Sequence, residues 1–100
     1  MDRKSFDDSL SGKQPPSGMT RVLKALWYDA KGNWDAAHEE AQAQEDRDGA
    51  SVHAYLHRKE GDANNAAYWY RQAQKPVFDG PLEAEWEALV QEFLGKKTDS

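Results

Sequence analysis

The chain has 100 residues, a length that allows one domain with a small core. Its net charge of −5 argues against a nucleic-acid partner, because binding a phosphate backbone requires a clustered Lys and Arg surface. The absence of cysteine excludes disulfides, thiolate nucleophiles and cysteine-ligated zinc. No stretch approaches the roughly 20 apolar residues that span a bilayer, so we expect a cytoplasmic protein with no membrane partner.

Residues 1–18 are predicted to form a disordered N-terminal arm, because only three of them are apolar. The burial of three apolar side chains cannot offset the entropy of ordering the segment. After the arm, apolar residues recur with helical spacing over 19–31 and again over 34–45. Gly32 and Asn33 lie between these stretches. Glycine takes the left-handed backbone conformation that ends a helix, and asparagine caps the helix that follows. We therefore predict two helices joined by a tight turn.

The same pattern recurs further along the chain. Helical spacing covers residues 50–60 and 63–75, and Gly61 and Asp62 repeat the glycine turn and the polar cap between them. Pro76 ends the second of these helices, because proline cannot continue the hydrogen-bonding pattern. The sequence thus predicts a second pair of short helices.

A last helix is expected over residues 81–94. It begins at Gly80-Pro81, and proline suits the first position of a helix, where its missing N–H is not needed. Residues 96–100 are expected to form a disordered tail. The helical domain therefore spans residues 19–95.

The two predicted turns are related to each other. The stretches AKGNWDAA and RKEGDANNAA match at an offset of 29 positions. This pattern resembles the tetratricopeptide repeat, in which small side chains let paired helices approach closely. The resemblance implies an all-α fold with two TPR-like antiparallel helical hairpins, capped by the C-terminal helix. In the internal match between the two turns, Gly32 corresponds to Gly61, Asn33 to Asp62, and Ala37 to Ala66.

A longer string, HAYLHRKEGD followed by NAAYWY, is similar to that of a family of small uncharacterised proteins from bacteria and fungi. This resemblance also implies helical hairpins, and it implies no particular reaction.

Three histidines form a candidate metal or small-ligand site. His53 and His57 lie four residues apart on one helix face, a spacing at which two imidazoles bind one metal ion, and His38 can approach from the preceding helix. The glutamate that commonly lies between such histidines in catalytic helices is missing. The alternative, which the sequence favours, is that the rings pack between helices and donate to backbone carbonyls or to Tyr and Asp side chains.

A basic and aromatic face is the candidate site for a protein partner. Between Arg58 and Lys75 the chain has four basic residues against two acidic ones. With neighbouring aromatic rings, this face is expected to bind an acidic peptide or a carboxylate terminus. The alternative is a solvated face on which Arg58 pairs with Asp62. The predicted partner-binding residues are Tyr55, Arg58, Lys59, Tyr68, Trp69 and Arg71, with Tyr55 expected to be exposed.

The last helix has a broad apolar stripe that includes Trp86, Leu89 and Phe93. Such a stripe is not left in water, so this helix either covers the preceding helices or mediates a homodimer.

These patterns favour a protein-protein interaction module. No Ser-His-Asp spacing, phosphate-binding loop or nucleotide fingerprint is present, so an enzyme is the minority interpretation. The rival interpretation is a metal-binding or small-ligand domain, with catalysis included, built on the three histidines. No cofactor other than a metal at that position is expected.

Overall fold

The computed structural model describes residues 1–97, and every regular element in that part of the chain is an α-helix. The prediction of an all-α protein is confirmed. The helices are α1 (Arg3–Ser9), α2 (Arg21–Ala30), α3 (Trp34–Ala43), α4 (Arg47–Lys59), α5 (Ala63–Ala73) and α6 (Leu82–Lys97).

Short polar side chains and two glycines set the helix boundaries. Gly32 and Gly61 have φ angles of +81° and +92°, the left-handed conformation predicted for both turns. At the start of α2, α3, α4 and α5, a side-chain oxygen accepts a hydrogen bond from the backbone N–H three residues later. These capping residues are Thr20, Asn33, Asp46 and Asp62.

Helix α4 is the centre of the fold. It packs against α3 and α5 and also contacts α2 and α6, and residues 51–57 are all buried. It begins at Arg47, three residues before the expected start, because Asp46 caps it. Gly49 allows the close approach of the preceding chain, since a Cβ atom there would lie 1.8 Å from the Gln44 carbonyl oxygen.

Helix α6 buries its apolar stripe within the chain. Leu89 and Phe93 belong to the same core as α2, and Trp86 donates from Nε1 to the Leu26 carbonyl at 3.0 Å. Leu89 and Phe93 are buried, so this part of the stripe covers the preceding helices and offers no surface to a second copy, and a homodimer stays a prediction. The helix continues to Lys97, into the expected tail, and residues 98–100 of that tail lie outside the described residues.

The N-terminal segment differs from the expected disordered arm. Helix α1 packs Phe6 into the core, where the side chain is 0% exposed and its ring lies 6.1 Å from that of Trp86. Ser9 Oγ accepts a hydrogen bond from Trp27 Nε1 at 3.1 Å. The apolar surface that orders α1 belongs to α2 and α6, so the segment's own composition does not reveal it. No helix within residues 1–97 is long and apolar enough to cross a bilayer.

Candidate metal-binding site

The three histidines come together between α3 and α4. His38 lies on α3, while His53 and His57 lie one turn apart on the same face of α4. One ring nitrogen from each residue lies within 4.8 Å of the other two. We call this group the histidine cluster.

Two of the rings are directly hydrogen-bonded. Nε2 of His38 and Nε2 of His53 are 2.9 Å apart, so one ring donates its N–H and the other accepts with its lone pair. This bond requires at least one neutral ring, because two imidazolium rings have no lone pair to share. The pair therefore has a nitrogen lone pair buried between α3 and α4.

The third ring bonds to a carboxylate. Nδ1 of His57 lies 2.7 Å from Oε1 of Glu60, the C-cap residue of α4. When Nδ1–H donates to that carboxylate, the lone pair of the neutral ring is on Nε2. Within residues 1–97, none of the hydrogen bonds of the histidine cluster goes to a backbone carbonyl. The rings pack between helices, as the favoured alternative expects, but their partners are an imidazole and a glutamate instead of backbone carbonyls or Tyr and Asp side chains.

Two tryptophans cover the cluster. The ring of Trp34 stacks on His38 with centroids 4.9 Å apart, and the ring of Trp69 stacks on His53 at 3.9 Å. Trp34 begins α3 and Trp69 lies on α5, so three helices contribute to the site. The aromatic walls remove water from the imidazoles and lower the local dielectric constant.

This environment favours the uncharged form of His38 and His53. Burial, followed by repulsion from His38 and His57, lowers the pKa of His53 to about 4. Burial and then the neighbouring His57 also lower the pKa of His38, against the opposing effect of nearby carboxylates. Neutral imidazole is the form that binds metal ions, so His53 is ready for ligation at neutral pH.

The spacing of the nitrogens suits a transition metal. Zinc-nitrogen bonds of about 2.0–2.1 Å place two ligands of a tetrahedral site about 3.3 Å apart. The His38 and His53 nitrogens are slightly closer than this, and all three lie within 4.8 Å of one another. A tetrahedral site would require all three nitrogens to lie about 3.3 Å from one another.

A cavity of about 540 Å³ borders the cluster between α3, α4 and α5. His53 and Trp69 contribute to its wall, together with Tyr68 and Gln72. It gives an ion or a water molecule a route from solvent to the edge of the histidine cluster.

The predicted partner face is largely used inside the protein. Tyr55 is only 2% exposed and donates its hydroxyl to Asp29 Oδ2 at 2.6 Å, so the expectation that it is exposed is wrong. Lys59 binds the other oxygen of Asp29 at 2.8 Å. Arg58 pairs with the buried Glu85 at 2.9 Å instead of with Asp62, and also donates to the Gly80 carbonyl.

The remaining partner-face residues lie on α5. Tyr68 is 45% exposed and Arg71 is exposed, whereas Trp69 is half-buried against His53. The structure therefore does not join the six predicted residues in one exposed surface.

One contributor to the site, Glu60, was missed from the sequence. Glu60 follows His57 by three positions, a spacing that brings side chains together on a helix, and this was the available signal. Trp34 stacks on His38 four residues later by the same helical rule.

Comparisons with protein families, curated proteins and solved structures found no match for this chain.

Proposed function

We propose that this protein binds one transition-metal ion through His38, His53 and His57. The observation that supports the proposal is the convergence of three imidazoles, two of which bond to each other while the third bonds to a carboxylate. Imidazole nitrogen suits Zn²⁺, Cu²⁺, Ni²⁺ and Fe²⁺. A site with three histidine ligands leaves one position for water or a substrate, as in catalytic zinc sites.

The electrostatics of the region favour a cation. From Asp29 to Asp48 the chain has seven acidic and two basic residues, a local balance that equals the net charge of the whole protein. A negative surface of this kind raises the local concentration of cations. Neutral His38 and His53 supply lone pairs, and a divalent ion bound by both would replace the single hydrogen bond that joins them.

We also propose how the helices are arranged in pairs. We assign α2 with α3, and α4 with α5, as two TPR-like hairpins. The left-handed glycines at the equivalent turns support this assignment, as do the packing of α2 on α3 and of α4 on α5. In such an arrangement the histidine cluster lies where the second helix of one pair meets the first helix of the next. Binding of a protein partner to the exposed side of α5, around Tyr68 and Arg71, stays a prediction.

Equilibrium dialysis of untagged protein against Zn²⁺, Ni²⁺ and Cu²⁺ tests the proposed metal binding. We expect one ion per chain for at least one of these metals. The chain has three histidines, all in the cluster, so no other histidine can supply a ligand. His38→Gln and His53→Gln are expected to reduce occupancy strongly while the amide preserves hydrogen bonding in the cluster.

The matched control for these variants is Glu83→Ala, which removes an exposed carboxylate on α6 away from the histidines. Wild-type occupancy near zero for all three metals would refute the proposal. Equal occupancy in the wild type and in both glutamine variants would also refute it, because the ion would then be bound elsewhere.

A further inference from the structure

From the geometry around His57, which lies in the last turn of α4, we infer that Glu60 is a positioning residue for the metal ion. Glu60 holds the His57 ring in the tautomer whose Nε2 lone pair points away from the carboxylate and is free for the metal. This inference rests on the proposed metal site.

The contact has the features of a carboxylate that orients a metal ligand. Nδ1 of His57 and Oε1 of Glu60 are 2.7 Å apart, a length typical of a charge-assisted hydrogen bond. The His57 side chain is 10% exposed and that of Glu60 is 40% exposed, so the carboxylate reaches the buried ring from the surface. The His57 ring is also fixed by stacking on His53, with centroids 4.8 Å apart.

The chemistry of imidazole explains why this contact matters. A neutral ring carries its hydrogen on one nitrogen and its lone pair on the other, so a partner that accepts from Nδ1 selects Nε2 for the metal. A carboxylate in this position also increases the basicity of the ligating nitrogen, and its loss typically weakens metal binding about 10- to 100-fold.

Direct ligation by Glu60 is the competing role. Ligand atoms of His57, Glu60 and Asp62 also lie within 4.8 Å of one another. However, both carboxylate oxygens of Asp62 accept hydrogen bonds from Asn65, one from its backbone N–H and one from its side-chain amide. Asp62 thus serves as the N-cap of α5 with both oxygens hydrogen-bonded, so a metal site formed by His57 and Glu60 would lack a third ligand.

The experiment compares Glu60→Ala and Glu60→Gln with the Glu83→Ala control in the full chain, with Zn²⁺ affinity measured by competition against a chromophoric chelator. We expect Glu60→Ala to weaken binding about 10- to 100-fold. Glu60→Gln keeps an acceptor oxygen and is expected to recover part of that loss. Glu83→Ala is expected to bind like the wild type.

A spectroscopic measurement separates positioning from a general structural role. Long-range ¹H–¹⁵N correlation spectra of the metal-free proteins report which nitrogen of His57 carries the hydrogen. We expect the Nδ1–H form in the wild type and in Glu60→Gln, and a mixture of both tautomers in Glu60→Ala.

The outcomes distinguish the two proposals. If the wild type binds zinc but Glu60→Ala binds it equally well with an unchanged tautomer, the role of Glu60 is refuted and the metal site stands. A second bound ion that both Glu60 variants lose would make Glu60 a ligand and also refute positioning. If the wild type binds no metal, both proposals fail together.

Discussion

A cluster of buried polar side chains lies on each of two sides of helix α4, and the charges of the two clusters are compensated in different ways. Toward α2 and α6, each buried carboxylate has one cation and one phenol as partners, a set that we call the acid network. Toward α3 and α5, the histidine cluster has three imidazoles and a single carboxylate. The acid network consists of Asp29 with Tyr55 and Lys59, and of Glu85 with Arg58 and Tyr70.

The acid network is complete without a ligand. Tyr55 and Tyr70 donate their hydroxyls to carboxylates at 2.6 and 2.5 Å, and burial followed by these hydrogen bonds raises the pKa of both phenols. They therefore stay protonated and continue to donate at neutral pH. Each buried carboxylate in this network is paired with a basic side chain, so the removal of one partner would leave an uncompensated buried charge.

In the histidine cluster, by contrast, the three imidazoles have a single carboxylate as a partner. Two of its rings are hydrogen-bonded to each other, and protonation of both would place two positive charges within hydrogen-bonding distance. In our proposal, a metal ion instead accepts a lone pair from each of the three rings. The comparison teaches that the same helix carries a charge-balanced polar group on one side and, in our proposal, a metal-binding one on the other.

Removal of the Arg58 side chain is expected to produce the largest effect. Arg58→Ala leaves Glu85 buried without its cation, and the loss of one partner of a buried pair costs about 3–5 kcal/mol of unfolding free energy. Urea denaturation measures this change. Arg71→Ala, on the exposed side of α5, is the matched control and should change stability by no more than about 0.5 kcal/mol. Equal effects of the two substitutions would contradict the assigned role of the acid network.

Metal addition should act only through the histidine cluster. At a free Zn²⁺ concentration about 100 times Kd, the wild type should gain about 3 kcal/mol of unfolding free energy, because the ion binds the folded state. Arg71→Ala should gain the same amount, whereas His53→Gln should gain little. Thermal unfolding with and without zinc checks this, and an equal gain in His53→Gln would count against the cluster.

Acidification should weaken the metal-free protein through His53. Its pKa is about 4 in the folded chain against an ordinary value of 6.5, so as pH falls from 6.5 to 4 the unfolded chain binds a proton that the folded chain does not. Stability is therefore lost over that window, by at most about 3 kcal/mol before screening by solvent reduces the effect. The slope flattens below pH 4, where both states are protonated.

Carboxylates also titrate in part of this range, so the diagnostic quantity is the difference between the wild type and His53→Gln. Urea denaturation at several pH values should show a flatter dependence for the variant. Identical slopes for the two proteins would show that His53 is not held neutral by its environment.

The smallest effect is expected at Lys59. Its side chain is 40% exposed, and a cavity of about 290 Å³ beside Asp29 lets water approach when the ammonium is removed. Lys59→Ala should therefore cost about 1 kcal/mol, close to the value for partly exposed ion pairs. A loss as large as that of Arg58→Ala would mean that water does not reach Asp29 through this cavity once the ammonium is removed.

Local chemistry in the sequence predicts much of this fold. Gly32 and Gly61 indicate where the helices end, because few other residues adopt a left-handed conformation easily, and Asn33 and Asp62 indicate where the next helices begin. Helix α1 could not be predicted in this way, because Phe6 is buried by residues far along the chain.

The site is predictable only in part for the same reason. The four-residue spacing of His53 and His57 fixes their common face, but the contact with His38 depends on how α3 packs against α4. Tyr55 was expected to be exposed because it lies off the histidine face of α4. The packing of α2 and α6 on the other side of that helix, which buries it, has no signal in local periodicity.

The most direct measurement is the zinc K-edge X-ray absorption spectrum of the zinc-loaded protein, compared with that of zinc-loaded His53→Gln. The predicted result is three imidazole nitrogens at about 2.0–2.1 Å in the wild type, with at least one imidazole lost in the variant. A wild-type spectrum dominated by carboxylate oxygens, or one that His53→Gln leaves unchanged, would contradict a metal site at the histidine cluster.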